Sequence, residues 1–478
     1  MQSILAILAL ALSVALHTSA SESSIEDLID REMTASGVPG LAYAVVAEGE
    51  ITSVGTRGVL KAGGDKGVTP DTAFSTGSIT KSFTALAVMQ LTEAGKVDLD
   101  AQVSQYLDGF SGQPAETITV RQLLSHTSGF STLQGNGSTA ASREDGANGK
   151  DELAHRVDQL AEVTPAYEPD ERWEYSNLNY QILGRLIEVV SGREYQAYVK
   201  ANILEPVGMD HSFVADGETH TSMATGHRPW FNTKRPLPEN RTDRVTAPQG
   251  GIVASAGDLA LYMQTMMNGE DDVLSAEGKA RMMRPASNSS PSYGFGWSVD
   301  SDDSTVWHSG STPGFETLAT MIPAERTAVV VLLNGGSGVG FGETTQLRNG
   351  ITARALGLDY SGEGSRWPQK ALFIALVLLP IGYLLSMAWA WRQRVQIRAK
   401  SGISGRFSLW FPLLTTLIAA WVVLRLVPNL FGAPLGTIRL FQPDLGLALI
   451  ATAATGVLWA TFRLAVAHTG RSGQTSSS

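Results

Sequence analysis

Three long apolar runs near the C-terminal end constrain the fold of this chain more than any other feature. They cover residues 371–391, 408–427 and 445–462, which are 21, 20 and 18 residues long. A helix of about 20 apolar residues spans the roughly 30 Å of hydrocarbon in a bilayer. We therefore expect three transmembrane helices, with a hydrophobic helical hairpin in a soluble core as the alternative.

The charges between these runs predict their orientation. Five basic residues and no acid separate the first two runs: Arg392, Arg394, Arg398, Lys400 and Arg406. Arg463 and Arg471 follow the third run, whereas Arg439 is opposed by Asp444 between the second and the third. Because Lys and Arg accumulate in cytoplasmic loops, we expect a multi-pass protein of the cytoplasmic (inner) membrane. The chain before residue 371 would then lie on the extracytoplasmic side.

The first 20 residues have the pattern of a signal peptide. Residues 4–16 form an apolar run that is too short to span a bilayer, and the small residues 18–20 suit a signal peptidase. No Lys or Arg precedes the run, which departs from the usual pattern. A retained signal anchor and a buried N-terminal helix are the alternatives. An exported N-terminal region agrees with the orientation that the loop charges predict.

Charge and cysteine content exclude several functions for the middle of the chain, the predicted domain 21–365 that precedes the membrane region 366–478. Residues 371–478 contain nine Lys or Arg and one acid, so the remainder must carry −18 to give the net charge of −10. An acidic body argues against nucleic-acid binding, which needs clustered Lys and Arg. The absence of cysteine excludes disulfides, thiol catalysis and thiolate zinc sites.

The residue pattern of the middle domain predicts an α+β fold. Strand-like runs lie near both of its ends: 40–47, 51–59, 305–308, 317–322 and 327–333. Helical periodicity dominates between them and is clearest at 82–94, 180–191 and 258–267. This order favours an antiparallel sheet flanked by helices, with a helical insertion. Residues 135–149 are expected to form a surface loop, and 361–367 a linker.

Ser78 and Lys81 are the strongest local signal for chemistry, because they open an amphipathic helix. Residues three apart share a helix face, so the amine can reach the hydroxyl. A lysine whose pKa is lowered by burial could take the serine proton and make the hydroxyl an acylating nucleophile. Taken alone, such a pair is more often an N-cap serine followed by a solvated lysine.

Two further segments contain groups that suit acyl transfer. Tyr175 and Asn177 precede a periodic helix; a tyrosine hydroxyl can relay a proton and an asparagine amide can orient a substrate carbonyl. His308, Gly310 and Ser311 lie in a short strand. A glycine there would let substrate backbone pair along the strand, and the Ser311 N–H could bind an oxyanion. Without more context, these segments are a helix N-cap and a surface histidine.

The order of the three motifs, S-x-x-K, Y-x-N and H-x-G, resembles the penicillin-recognising serine hydrolases, in particular the class C β-lactamase and D-Ala-D-Ala carboxypeptidase branch. Segments 118–129 (ITVRQLLSHTSG) and 250–259 (GGIVASAGDL) are similar to stretches between the motifs of that family. The resemblance covers roughly residues 25–356. It implies a β-lactamase/DD-peptidase-like fold and a reaction without metal or organic cofactor.

The resemblance also implies roles in the reaction. Ser78 would be the nucleophile, Lys81 its base and Tyr175 the proton shuttle. The N–H groups of Ser78 and Ser311 would form the oxyanion hole. The substrate class implied is a D-amino-acid peptide of the cell wall. An esterase, a β-lactamase and a non-catalytic receptor for muropeptides or β-lactams are the alternatives.

On the substrate side, Asn177 would orient the amide, and His308, Gly310 and Ser311 would form the strand beside the substrate. His308 departs from the lysine that β-lactamases place there, which favours peptidase or esterase chemistry over efficient β-lactam hydrolysis. An unperturbed histidine has a pKa of about 6.5. We therefore expect recognition of carboxylate-ended substrates to weaken as the pH rises from about 5.5 to 8.

The densest cluster of histidines and acids lies outside these motifs. Its members are Asp210, His211, Asp216, Glu218, His220 and His227. Their spacing matches no zinc motif, so a polar loop is predicted instead of a metal site. The expected partners are a small-molecule or peptide substrate and the lipid bilayer, with no nucleic acid.

Overall fold

The computed structural model describes residues 25–137, 151–302 and 304–469. The chain divides into two compact units, here called the large unit, which ends at Gly364, and the small unit, which begins at Ser365. The predicted signal peptide, residues 138–149 of the expected loop and Arg471 lie outside the described residues.

An antiparallel six-stranded sheet organises the large unit. The strands of this unit are β1 (Gly40–Ala47), β2 (Glu50–Gly58), β3 (Phe74–Ser75), β4 (Phe213–Val214), β5 (His227–Trp230), β6 (Thr233–Pro236), β7 (Ile252–Ala254), β8 (Ser298–Val299), β9 (Val306–Thr312), β10 (Phe315–Ile322) and β11 (Thr327–Leu333). The order in the sheet is β2-β1-β11-β10-β9-β8. Strands from the two ends of the unit therefore pair at the centre, with Leu41 opposite Leu333.

The helices of the large unit are α1 (25–36), α2 (Thr80–Glu93), α3 (Val120–Leu124), α4 (132–137), α5 (Glu152–Ala161), α6 (Asn177–Ser191), α7 (Tyr195–Val199), α8 (Glu205–Val207), α9 (Ala247–Gly250), α10 (Ala256–Met267), α11 (Ala276–Met282) and α12 (Thr345–Leu356). A 3₁₀ turn at Gly77–Ile79 leads into α2. Residues 135–137 thus end a short helix, where a loop was expected.

Both faces of the sheet are buried, as the predicted α+β architecture requires. Successive side chains of a strand point to opposite faces, so Leu41 of β1 lies on one face and Ala42 on the other. Leu28 of α1 and Ile351 of α12 cover the first face, and α2 and α10 belong to the larger core on the second. Each fully buried Leu or Ile contributes about 1.5–3 kcal/mol relative to an exposed one.

Two local features set the geometry of the sheet. The turn between β1 and β2 uses Glu48 and Gly49, whose φ angles are 53° and 85°; positive φ at both positions is typical of a tight type I′ hairpin. β9 extends beyond the strand-like run 305–308 to Thr312. It contains His308, Gly310 and Ser311, which were expected to lie in a short strand.

The small unit consists of the apolar helices that the sequence predicts. Its helices are α13 (Trp367–Arg392), α14 (Arg394–Arg398), α15 (Gly402–Trp421), α16 (Val427–Leu430), α17 (Leu435–Phe441) and α18 (Pro443–His468), with a π turn at Val422–Leu426. Three segments are long and apolar enough to cross a membrane: Trp367–Arg392, Gly402–Leu430 and Pro443–His468. Leu385, Trp410 and Leu414 remain 67%, 55% and 58% exposed. Such outward apolar side chains are favourable in lipid, so the unit associates with a membrane.

Candidate active site

Ser78 lies in the 3₁₀ turn between β3 and α2, and one helical turn further on, Lys81 places its Nζ 3.1 Å from Ser78 Oγ. The turn depends on Gly77, which has a φ of 56°. A Cβ at this position would lie 2.6 Å from the backbone nitrogen of Ser311. Glycine therefore allows the turn to touch β9 and to leave Ser78 partly exposed beside it.

Lys81 is fully buried and has three polar neighbours. Its Nζ donates to Asn177 Oδ1 at 2.9 Å and to the carbonyl oxygen of Gln249 at 2.9 Å. Burial lowers the pKa of Lys81 well below its usual value. A neutral amine has two N–H groups and one lone pair. Since both carbonyl oxygens can only accept, the lone pair is left for the Ser78 hydroxyl.

Tyr175 contacts the same serine oxygen. Its Oη donates a hydrogen bond of 2.8 Å to Ser78 Oγ, and Lys81 Nζ lies 4.9 Å from the centre of its ring. Burial raises the pKa of Tyr175 above its usual value of 10.0. The hydroxyl of Tyr175 therefore keeps its proton at neutral pH and can act as a donor. The neutral amine of Lys81 is the group that can accept a proton.

Asn177 begins α6 and joins the lysine to a neighbouring helix. Its Oδ1 accepts from Lys81, and its Nδ2 donates to Asn136 Oδ1 of α4 at 3.3 Å. The structure therefore brings Lys81 and Tyr175 to Ser78 Oγ, and Asn177 to Lys81. The predicted role of Asn177 in orienting substrate remains a prediction.

Gly310 is required where β9 closely approaches the backbone before Ser78. A Cβ at this position would lie 1.9 Å from the carbonyl oxygen of Thr76, which already accepts a hydrogen bond of 2.8 Å from Thr317 Oγ1. Glycine thus lets the backbone before Ser78 pack directly on the sheet. β8 pairs with β9 only at Val306 and Trp307. Among the described strands, the later part of β9 keeps one open edge.

Ser311 sits at this open edge and is exposed. Its Oγ donates to Glu316 Oε1 at 3.0 Å, and Glu316 pairs with Arg348 at 3.3 Å. Its backbone nitrogen adjoins the turn that carries Ser78. The role of the Ser78 and Ser311 N–H groups as oxyanion donors remains a prediction.

His308 differs from its predicted behaviour. It is only 5% exposed, so it is not a surface residue. Nδ1 donates to the carbonyl oxygen of Ser309 at 2.7 Å, and Nε2 therefore accepts from Tyr293 Oη at 3.1 Å. Burial lowers the pKa of His308 to about 3. The expected titration near pH 6.5 is wrong, because the ring is desolvated and both nitrogens are already bonded.

The model of the β-lactamase family matches residues 25–352, more than half of the chain. The chain belongs to the β-lactamase family. Penicillin-binding protein 4 of Amycolatopsis lactamdurans is 30% identical over 342 residues, which are 66% of this chain and 86% of that protein. Protein flp of Staphylococcus aureus strain MRSA252 is 26% identical over 332 residues. That match covers 66% of this chain and 64% of flp, less than two thirds of its length.

A solved structure shows the same fold. The octameric penicillin-binding protein homologue from Pyrococcus abyssi superimposes with a TM-score of 0.61 and 27% identity. The match covers 70% of this chain and 78% of that one. The resemblance that the sequence motifs indicated is confirmed, and with it the β-lactamase-like fold of a serine hydrolase.

Three contacts of this β-lactamase-family site were not predicted from the sequence. They involve the carbonyl oxygen of Gln249, the hydroxyl of Tyr293 and the amide of Asn136. Gln249 directly precedes the segment 250–259 that the resemblance singled out, but any residue type supplies a carbonyl. No motif marked Tyr293 or Asn136.

The histidines outside the motifs have separate environments. His220 contacts Asp216 at 3.0 Å, and His211 lies 3.6 Å from Asp258. His227 is buried in β5, where Nδ1 donates to the Asn334 carbonyl oxygen. Each of the three rings thus has its own partner within the fold.

Proposed function

We propose that this chain is a membrane-tethered serine hydrolase that forms an acyl-enzyme on Ser78 and acts on amide or ester substrates. D-amino-acid peptides of the cell wall are the substrate class that we favour. One observation carries the proposal: Ser78 Oγ is within hydrogen-bond distance of Lys81 Nζ and of Tyr175 Oη. A base and an acid on the same hydroxyl are what acyl transfer needs.

In the acylation step, Ser78 Oγ forms a bond to the substrate carbonyl carbon while its proton passes to the neutral amine of Lys81. The negative charge on the carbonyl oxygen meets the N–H groups of Ser78 and Ser311. Tyr175 then gives its proton to the leaving nitrogen or oxygen, and the C–N or C–O bond breaks. Lys81 then passes its proton to Tyr175, which restores the neutral amine and the tyrosine hydroxyl.

In the second step, water attacks the ester on Ser78. The neutral amine of Lys81 accepts the water proton, and the serine oxygen recovers a proton as it leaves. Neither step uses a metal or an organic cofactor. A receptor that binds muropeptides or β-lactams would stop after the first step, so turnover separates the two functions.

The substrate class rests on the family and on the open edge of β9. A free strand edge suits an extended peptide, which can add its backbone along the later part of β9. Ester hydrolysis is the second candidate, and the state of His308 favours it. A neutral His308 supplies no positive charge for a substrate carboxylate.

The test uses the full-length protein in detergent. After exposure to a penicillin or a fluorophosphonate, intact-mass spectrometry should show an adduct on the peptide that contains Ser78, and Ser78→Ala should not form it. Hydrolysis by Ser78→Ala at a rate near the parent's would disprove the nucleophile. Turnover of D-Ala-D-Ala peptides, simple esters and β-lactams, measured side by side, then ranks the substrate classes.

We also propose that the large unit lies outside the cytoplasm and that residues 392–406 lie inside. The basis is the excess of Lys and Arg in that loop. The chain has no cysteine, so single cysteines can be labelled without background. In intact cells an impermeant thiol reagent should label Ser361→Cys and spare Ser401→Cys. The reverse pattern would overturn this orientation.

A further inference from the structure

His126 lies just behind the active site and has no part in the reaction described above. It follows α3, is 1% exposed and has a φ of 60°. A residue with a side chain adopts this conformation only when its surroundings hold it there. The ring packs against Tyr175, with 4.4 Å between the ring centres.

Two hydrogen bonds from His126 bracket Tyr175 along the chain. The backbone N–H of Glu174 donates to the His126 carbonyl oxygen at 2.9 Å, and the backbone N–H of Ser176 donates to His126 Nδ1 at 3.1 Å. The residues immediately before and after Tyr175 are therefore both fixed to one histidine. Together with the ring contact, these bonds limit how far the Tyr175 side chain can move.

The same bonds define the protonation state of the imidazole. A backbone N–H only donates, so Nδ1 must be unprotonated, and the proton lies on Nε2. The Nδ2 of Asn179 also lies 3.0 Å from Nδ1, and Asn179 is oriented by Ser128 Oγ, which donates to its Oδ1 at 2.7 Å. Burial lowers the pKa of His126 well below 6.5. The ring therefore stays neutral and keeps its acceptor.

We propose that His126 is a positioning residue that holds the Tyr175 hydroxyl against Ser78 Oγ. It acts through the backbone on both sides of Tyr175 and through the face of its ring, and it never touches substrate. The inference rests on the proposed function, because it assigns Tyr175 to proton transfer. A displacement of about 1 Å in a reacting group costs on the order of 10²-fold in rate.

The test compares two substitutions in the full-length protein. In His126→Asn, the amide oxygen can replace Nδ1 as acceptor, and asparagine tolerates a positive φ. In His126→Gln, the side-chain oxygen is one bond further from the backbone and misses the Ser176 N–H. We expect His126→Gln to slow acylation by a fluorophosphonate about 10²-fold and His126→Asn to recover most of that loss. Equal losses in the two variants would overturn the proposal.

His227→Gln is the matched control. His227 is also fully buried, and its Nε2 accepts the Ala62 N–H at 3.0 Å. The glutamine oxygen can replace Nε2 as acceptor, but the control loses the buried hydrogen bond from Nδ1 to the Asn334 carbonyl oxygen. Because this bond lies outside the site, the control should acylate at the parent's rate. A loss in this control as large as that of His126→Gln would assign the effect to stability alone.

A double-mutant cycle tests whether His126 acts through Tyr175. In a Tyr175→Phe background the hydroxyl is gone, so His126→Gln should slow acylation by less than about 3-fold, because groups that act as a unit give non-additive losses. An undiminished loss of about 10²-fold in that background would show that His126 acts elsewhere.

One measurement separates this inference from the proposed function. In protein labelled with ¹⁵N-histidine, the His126 signals, identified by their loss in His126→Asn, should show a proton-free Nδ1 from pH 8 to about 5.5. If the parent protein is never acylated, the proposed function fails while this signal still reports the hydrogen bond. A protonated Nδ1 would overturn the positioning role whatever the activity.

Discussion

Two regions of the large unit each bury a lysine, and the partners of the two amines differ. Lys81 in α2 and Lys279 in α11 are 0% and 1% exposed. Lys279 Nζ donates to Asp272 Oδ1 at 2.8 Å, with Asn268 Oδ1 and a backbone carbonyl as its other acceptors. Within the described part of the chain, the hydrogen-bond partners of Lys81 Nζ are two carbonyl oxygens and Ser78 Oγ, and none is a carboxylate.

The counter-ion decides what a buried lysine can do. An isolated buried charge costs several kcal/mol, whereas a carboxylate partner offsets that cost. Burial alone would raise the pKa of Asp272, but the hydrogen bonds from Lys279 and Asn268 outweigh it and lower the pKa. Lys279 is thus held as a structural cation. Lys81 lacks a carboxylate, and its pKa falls instead, which makes it available as a base.

The largest effect should come from Lys81→Met. Without its base, Ser78 should be acylated about 10⁴-fold more slowly or worse, since the groups act as a unit. Removing a buried amine without a counter-ion leaves no unpaired carboxylate, so the melting temperature should stay near the parent's. Intact-mass kinetics and a thermal melt of the full-length protein check both points. Acylation at a tenth of the parent's rate would show that Lys81 is not the base.

Asn177→Asp should make the Lys81 region resemble the Lys279 region. A carboxylate at 177 favours the ammonium form and raises the pKa of Lys81, so the fraction of neutral amine at a given pH falls. Acylation at a pH below the raised pKa should therefore slow, and the midpoint of the pH–rate profile should move upward. Asn177→Ala is the control, because it removes the acceptor without adding charge. An unshifted midpoint in Asn177→Asp would contradict the argument.

Lys279→Met should affect stability and leave the reaction unchanged. It leaves Asp272 partly buried without its cation, which should lower the free energy of unfolding by about 2 kcal/mol. The acylation rate of the folded protein should equal the parent's. In the double variant Lys279→Met/Asp272→Asn, part of the lost stability should return. Slower acylation in Lys279→Met would show that Lys279 also affects the reaction, contrary to this prediction.

The smallest expected effect concerns His308, which shares the desolvated environment of Lys81. With a pKa of about 3, the ring stays neutral from pH 5.5 to 8. The ratio of kcat/KM for a carboxylate-ended peptide to that for a neutral ester should therefore be level over this range, because both substrates share the effects of Lys81 and Tyr175. A ratio that falls as the pH rises would mean that substrate binding recharges His308.

Much of the site follows from local sequence. The spacing of Ser78 and Lys81 on one helix face puts the amine near the hydroxyl, and the structure has them 3.1 Å apart. The order of the motifs also indicated that Tyr175 and Asn177 would join them. The close packing that requires Gly310 could not be predicted, because its neighbour, the carbonyl oxygen of Thr76, is more than 200 residues away in the chain.

The amino-acid sequence by itself determined the three apolar helices, the antiparallel sheet built from both ends of the large unit and the family of the motifs. Periodicity, run length and residue order are properties of the sequence itself, so these features can be predicted without a tertiary structure. Tertiary structure decided the charge states. His308 and Lys81 have ordinary residue types, but burial keeps the ring of the first and the amine of the second neutral. Tyr293 Oη bonds to the ring, and the carbonyl oxygen of Gln249 accepts from the amine. Desolvation and backbone acceptors come from distant segments, and no residue type marks them in the sequence.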